Sequence, residues 1–204
     1  MTALETGAGG QPKPLRDWWA SAAPLLLRPV QVSPIPAVAI APDSLSGKPI
    51  VLALDDGTID GKYSHDEVNA HGRKFSVASL GEWYLRAISV YAERYGGVEP
   101  PNKKLDIALC DSEMRPIAVW QKPYAVFPKR EMEWVRLEVP PTKVPNVFYL
   151  ALYLRSSDSD GIYVAMDNST KGDSVGSRPG EPPEVFDKGD WMIRVELDRP
   201  SPRP

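Results

Sequence analysis

From position 50 onward, apolar and polar residues alternate with a period of two over many short stretches that turn-forming residues separate. This alternation predicts half-buried β-strands, because successive side chains of a strand point to opposite faces of its sheet. No stretch carries a sustained helical stripe of apolar residues, so we expect few and short helices. The pattern predicts eight or nine strands, near residues 50–55, 72–79, 84–92, 104–110, 116–121, 133–139, 147–154, 161–167 and 190–198.

Two of these strands indicate which side chains form the core. Within 134–139, Val135, Leu137 and Val139 fall on one face, which we expect to be buried. Trp134 falls on the other face with Arg136 and Glu138, so we expect it on the non-core side. Residues 147–154 are apolar on both faces, which is typical of a central strand. The predicted core also includes Leu150, Leu152, Ile193 and Val195.

Short strands without a repeat period favour two packed sheets over a propeller or a solenoid. The 22 prolines and 15 glycines supply the frequent chain breaks that such a fold needs. The sequence therefore predicts an all-β protein, a two-sheet antiparallel β-sandwich of the jelly-roll kind with few or no long helices.

The chain divides by composition into three parts. Residues 1–48 are rich in proline, glycine and small residues, and we interpret them as a flexible segment or linker. In this segment Trp18 and Trp19 either pack on the domain itself or dock an upstream domain. Residues 49–199 form the predicted sandwich, and residues 200–204 form a disordered tail.

Charge and rare residues exclude several kinds of function. Acidic and basic residues are interspersed, and the net charge of −3 gives no basic stripe for nucleic acid. The single cysteine, Cys110, and the two histidines, His65 and His71, lack the spacing of a zinc site. Neither a secretory signal pattern nor an apolar run near the ~20 residues of a membrane span is present, so no membrane partner is predicted. The sequence does not indicate the cellular compartment.

The stretch Asn168–Gly189 is the most unusual part of the sequence. Only three of its 22 residues are strongly apolar, namely Val175, Val185 and Phe186. Loops of this length often serve a function, although a loop that only covers a sheet edge is the alternative. We expect it to border the ligand surface, and with Trp134 the predicted ligand-binding residues are Asp167, Asn168, Ser174 and Arg178.

Three carboxylates lie close together at the end of the first predicted strand. Asp55, Asp56 and Asp60 fall within a Gly- and Thr-containing turn, and carboxylate oxygens are the ligands that calcium prefers. The sequence therefore raises the hypothesis of a structural calcium ion here. A solvated, acidic turn explains the same residues without a metal.

Catalytic patterns are weak. A nucleophile needs a base within hydrogen-bond reach, and the sequence has two histidines and no Gly-x-Ser-x-Gly elbow. Paired carboxylates can hydrolyse glycosides, but no spacing singles out a pair. The sequence thus predicts a non-catalytic module that recognises carbohydrate or a neighbouring protein domain. The alternatives are a hydrolase using carboxylates near the 168–189 stretch and a purely structural domain.

A series of short motifs resembles a family of bacterial β-sandwich accessory domains that follow peptidases, hydrolases and other domains in longer proteins. The matching stretches are Asp55-Asp-Gly-Thr, Gly61-Lys-x-Ser64, Arg94-Tyr-Gly96, Pro100-Pro101, Trp134-Val, Gly161-Ile-Tyr-Val and Asp190-Trp-Met-Ile-Arg194. The resemblance covers roughly residues 50–198. It implies a jelly-roll, galactose-binding-like fold and an accessory role, without a known ligand.

Overall fold

The computed structural model describes residues 49–65, 69–77, 81–177 and 182–200. Within these residues the chain is almost entirely β-structure, with thirteen strands, one short 3-10 turn (Tyr124–Val126) and no α-helix. The predictions for residues 1–48, including the docking of Trp18 and Trp19, and for residues 201–204 lie outside the described residues. No helix in the described part of the chain is long and apolar enough to cross a membrane.

The thirteen strands follow one another in chain order. They are β1 (Ile50–Leu52), β2 (Gly61–Tyr63), β3 (Ala70–Ser76), β4 (Trp83–Tyr95), β5 (Lys104–Cys110), β6 (Pro116–Pro123), β7 (Glu133–Val144), β8 (Val147–Tyr153), β9 (Gly161–Asp167), β10 (Ser174–Ser177), β11 (Glu184–Val185), β12 (Asp190–Trp191) and β13 (Ile193–Asp198).

These strands form two antiparallel sheets, which confirms the predicted fold class. The seven-stranded sheet runs β1-β13-β4-β9-β12, with β7 paired to β4 and β2 paired to β9. The six-stranded sheet runs β11-β10-β3-β8-β5-β6. Strand β8 lies between β3 and β5, as its apolar character on both faces predicts.

The main hydrophobic core lies between the two sheets and draws side chains from both. The predicted core residues are all buried: Val135, Leu137, Val139, Leu150, Leu152, Ile193 and Val195. Trp191 is also completely buried and joins this core. Burying such side chains typically contributes about 1.5–3 kcal/mol each, so this layer is the main source of stability.

A smaller apolar cluster lies on the outer face of the six-stranded sheet. It consists of small residues of three strands, with Met114, Tyr149, Tyr153 and Val175 packed among them. Cys110 belongs to this cluster and is fully buried, as expected for a structural thiol.

The prediction of a long loop without strands from 168 to 189 is wrong. Strands β10 and β11 lie within it and pair with each other through Val175 and Val185, and β10 continues the sheet at β3. Strand β2 also escaped prediction. Each of these strands has two to four residues, which is too short for a period-two pattern to appear.

Candidate functional site

Trp134 lies on the outer face of the seven-stranded sheet, as its alternation with buried neighbours predicts. It is half-buried on β7, directly opposite Tyr91 on β4, and the two ring centroids are 5.2 Å apart. The guanidinium carbon of Arg194, from β13, lies 3.9 Å from the centroid of the Trp134 ring. Such a cation over an indole is held by the quadrupole of the ring.

Asp55 fixes this arginine in place. Its carboxylate oxygens accept hydrogen bonds from Nη2 of Arg194 at 2.5 Å and from Nε at 3.1 Å. The carboxylate is fully buried, whereas Arg194 is 27% exposed. The hydrogen bonds that Arg194 donates to Asp55 raise the pKa of Arg194 above its usual value. Arg194 therefore joins a predicted ligand-binding residue, Trp134, to a predicted metal ligand, Asp55, although sequence reasoning did not single it out.

The loop from 53 to 60 is bound to the end of β9 by hydrogen bonds from backbone amides to aspartate carboxylates. The amide of Asp56 donates to Oδ2 of Asp167 at 2.8 Å, and the amide of Asn168 donates to Oδ2 of Asp60 at 2.9 Å. Burial disfavours the charged form of Asp167, but hydrogen bonds from Ser169 and from the Asp56 amide outweigh it and lower its pKa. The structure thus brings four predicted site residues together in one loop cluster.

The three predicted calcium ligands point to different partners. Asp55 binds Arg194, Asp56 accepts the amide of Thr58 at 2.7 Å, and Asp60 accepts the amide of Asn168. Among the residues that the structure describes, no group of three or more His, Cys, Asp or Glu side chains is arranged to hold a metal ion. The calcium hypothesis stays a prediction, without support from these contacts.

Ser174 and Asp190 lie in the interior and help to bury an arginine. Ser174 Oγ accepts the amide of Trp191 at 2.7 Å. Oδ2 of Asp190 lies 3.6 Å from Nη2 of Arg73, whose guanidinium is fully buried. The same guanidinium donates hydrogen bonds to the carbonyls of Trp191 and of Leu54. Ser174 is therefore a structural residue rather than an exposed ligand contact. Arg178, the last predicted ligand-binding residue, lies outside the described residues.

The two histidines of the chain meet at one end of the core. The rings of His65 and His71 are 4.4 Å apart, and both contact the indole of Trp191 edge to face. The Phe186 ring stacks on that indole with a centroid distance of 4.0 Å, and the Tyr63 ring centroid lies 5.7 Å from that of Phe186. Sequence reasoning considered these histidines only as possible zinc ligands or catalytic bases and missed their contact.

His71 is fully buried between the sheets. Its Nε2 lies 3.2 Å from the carbonyl oxygen of Tyr63, while its Nδ1 has no hydrogen-bond partner among the described residues. Burial, and then the proximity of His65, lowers the pKa of His71 well below 6.5, although the bond to Tyr63 opposes this. His71 is thus neutral near pH 7.

Two described acids near the stretch from 168 to 189 have structural partners. Asp167 and Asp190 are buried and accept backbone N–H groups, and Asp190 also compensates Arg73. Asp187 is exposed. A glycosidase needs two carboxyl groups facing each other across a substrate, and the described contacts commit the buried acids to structural roles.

No protein-family model matches this chain, and no curated protein matches it either. The resemblance to accessory domains therefore remains a hypothesis that rests on the motifs alone.

Proposed function

We propose that the domain is a non-catalytic recognition module that binds neutral carbohydrate on the outer face of the seven-stranded sheet. The observation that carries this proposal is the group formed by Trp134, Tyr91 and Arg194, with Asp55 buried behind the arginine. It places half-buried aromatic rings beside a fixed hydrogen-bonding group on one open sheet face.

The chemistry of this group suits a sugar. Aromatic rings offer apolar surface to the C–H faces of a pyranose, and the polar edges of the sugar need donors and acceptors. The bonds to Asp55 use two of the five N–H groups of Arg194, which leaves others for hydroxyl groups. Because Asp55 neutralises Arg194, the site gives no reason to prefer an anionic ligand.

A second aromatic pair continues the same face along β4. Tyr95 and Tyr163 have ring centroids 4.5 Å apart, and Nζ of Lys62 lies 5.0 Å from the Tyr163 ring. Lys62 is in turn paired with the largely buried carboxylate of Glu93 at 2.5 Å. Tyr91 and Tyr95 are four residues apart on one strand, or about 13 Å. An extended oligosaccharide would reach both pairs.

The exposed apolar residues do not indicate a large protein-docking surface. Those in the described ranges are aliphatic and are scattered over several strands and loops: Val51, Leu54, Ile59, Val98, Ile117, Val119, Val126 and Val185. Stable protein interfaces have an apolar, aromatic-rich centre. The aromatic residues here lie instead among ion pairs, which favours a small polar ligand.

The test is a glycan-array screen of the wild-type domain, followed by calorimetric titration with the strongest neutral oligosaccharide. Replacing Trp134 with alanine should weaken binding about two- to tenfold, since a stacked aromatic contributes about 0.5–1.5 kcal/mol. Tyr149→Ala is the matched control, because Tyr149 is a half-buried aromatic on the outer side of the other sheet. Equal loss in both variants, or no glycan bound while a protein partner is captured through Trp134, would refute the proposal.

A further inference from the structure

The outer face of the six-stranded sheet carries very small residues at its centre. In the strand register Gly72 of β3 lies beside Ala151 of β8, and Ala151 lies beside Ala108 of β5. Tyr149 and Tyr153 flank Ala151 on the same face of β8, because residues two apart on a strand point to the same side. Gly72, Ala108 and Ala151 thus form a shallow trough with a tyrosine at each end.

The trough is buried although it faces away from the main core. Ala108 and Ala151 are fully buried, and so is Cys110, the next outward residue of β5. The outward residues Ile117 and Val119 of the edge strand β6 are instead 41% and 36% exposed. Solvent is therefore excluded from the centre of this outer face but not from its edge.

Met114 supplies part of the cover. It lies in the turn between β5 and β6, and its Cε is 3.8 Å from the point that a Cβ on Gly72 would occupy, two strands away. Met114 is itself only 6% exposed, and its backbone has the unfavourable φ of +61°. A side chain on the outside of a sheet is buried to this extent where a further layer lies above it. No described strand makes an extended contact with this face.

The parts of the chain outside the described ranges differ in what they can contribute to such a layer. Four of them are short and mostly polar: residues 66–68, 78–80, 178–181 and 201–204. Residues 18–27, in contrast, hold two tryptophans and three leucines in ten positions. An indole buries about 150–250 Å², and large side chains interdigitate well with a layer of small ones. The trough and residues 18–27 are therefore complementary in size and polarity.

We propose that residues 18–27, here called the docking segment, pack on the outer face of the six-stranded sheet of the same molecule, with the rings of Trp18 and Trp19 over the trough. The connection is long enough, since residues 28–48 span about 70 Å when extended, whereas a domain of this size has a radius of gyration of about 15 Å. A flexible tether gives an effective concentration on the order of a millimolar, which favours the sheet of the same chain over that of another copy. The two tryptophans then form a third layer of the domain and do not serve as a handle for an upstream domain.

Paramagnetic relaxation in the full chain tests where the docking segment lies. A nitroxide on Ser21→Cys, in a Cys110→Ala background, should broaden the amide signals of β3, β5 and β8 and spare those of β4 and β7. Ser33→Cys is the matched control, because residue 33 is nearer to β1 along the chain but lies outside the docking segment. A label on an undocked tail acts more strongly the closer it is attached to the fold. Stronger broadening of β8 from residue 33 than from residue 21 would therefore overturn the proposal.

The same label distinguishes the sheet of the same molecule from that of a second copy. When spin-labelled chains are mixed with isotope-labelled chains that carry no nitroxide, only contacts between copies broaden the observed signals. The proposal expects no broadening of β3, β5 and β8 in this mixture. Broadening as strong as that within one chain would show that the segment binds another copy, and the proposal would be wrong.

Cys110 reports the cover in the natural sequence, because it is the only cysteine and lies beside the trough. Trp18→Ser/Trp19→Ser should raise the rate at which a colorimetric disulfide reagent labels the folded protein by at least about tenfold, which corresponds to about 1.4 kcal/mol of lost docking free energy. Val38→Ser/Ile40→Ser, in the other apolar run of residues 1–48, is the matched control and should leave the rate unchanged. No increase in the tryptophan variant, or an equal increase in both variants, would refute the proposal.

The relaxation experiment also decides the question if the tryptophan variant loses the far-UV circular dichroism spectrum of the wild type. Ser21→Cys keeps both tryptophans, so its fold does not depend on their removal. Neither measurement involves a glycan, and their outcomes are therefore independent of the proposed carbohydrate function.

Discussion

Replacing Asp190 with asparagine removes the carboxylate that compensates the fully buried guanidinium of Arg73. The two groups are 3.6 Å apart, and at an effective dielectric constant of about 20 their attraction amounts to about 4.6 kcal/mol. Asparagine keeps a carbonyl oxygen that accepts one hydrogen bond, so part of this is retained. We expect the free energy of unfolding to fall by about 3 kcal/mol, within the range seen when one partner of a buried pair is removed.

Thermal unfolding followed by circular dichroism measures this loss as a decrease in Tm of about 6–12 °C. Asp187→Asn is the control, since the exposed Asp187 lies on the same stretch and its substitution should change stability by less than about 0.5 kcal/mol. The double variant Arg73→Met/Asp190→Asn should be less destabilised than the sum of the single changes, because no unpaired charge remains. A stable Asp190→Asn protein, or strictly additive effects, would refute the assignment of a buried, compensated charge.

Three further outcomes follow from the packing. Leu152→Ala should lower the free energy of unfolding by about 2–5 kcal/mol in urea titrations, because Leu152 is fully buried between the sheets. If the variant unfolds at the same urea concentration as the wild type, the Leu152 side chain does not face the core. Gly161→Ala should cost about 1–3 kcal/mol in the same titration, since a Cβ there would lie 2.4 Å from the Tyr95 hydroxyl. Gly176→Ala is the control, because a Cβ there meets no atom within 4 Å and its backbone, like that of Gly161, is not in the left-handed region. Burial, followed by the charge of Asp111, raises the pKa of Cys110 to about 12. The thiol of the folded protein should therefore resist a colorimetric disulfide reagent near neutral pH and react only after denaturation. Rapid labelling of the folded protein would contradict this.

The sequence was sufficient to predict the strands in which apolar and polar residues alternate over many positions. In β7 the pattern around Val135 and Leu137 placed Trp134 on the outer face, and the structure confirms that side. It was insufficient for β10 and β11, because Val175 stands alone among Gly and Ser residues and Val185 has only Phe186 as an apolar neighbour. Their pairing is a tertiary contact that no local pattern shows.

For the buried polar groups, too, the sequence indicated the position of a side chain but not its partner. His71, Arg73 and Phe75 alternate on β3, so the sequence contained a signal that His71 and Arg73 share the core face. Their partners could not be predicted, since Tyr63 and Asp190 come from short strands of the other sheet. Arg194 was likewise visible as an outward residue of β13, but its contact with Asp55 joins positions 139 residues apart.

The place of β13 in its sheet affects how the chain can fold during synthesis. This strand lies between β1 and β4, and Ile193, Val195 and Leu197 fill the core on its inner face. A nascent chain that has not yet released residue 198 from the ribosome lacks the strand that joins the edge to the centre of the sheet. Its apolar strands β4 and β7 then stay open to aggregation or chaperone binding. Because the pairing of β1 with β13 also spans most of the described sequence, we expect closure of the sheet to be a late and slow step that follows synthesis of β13.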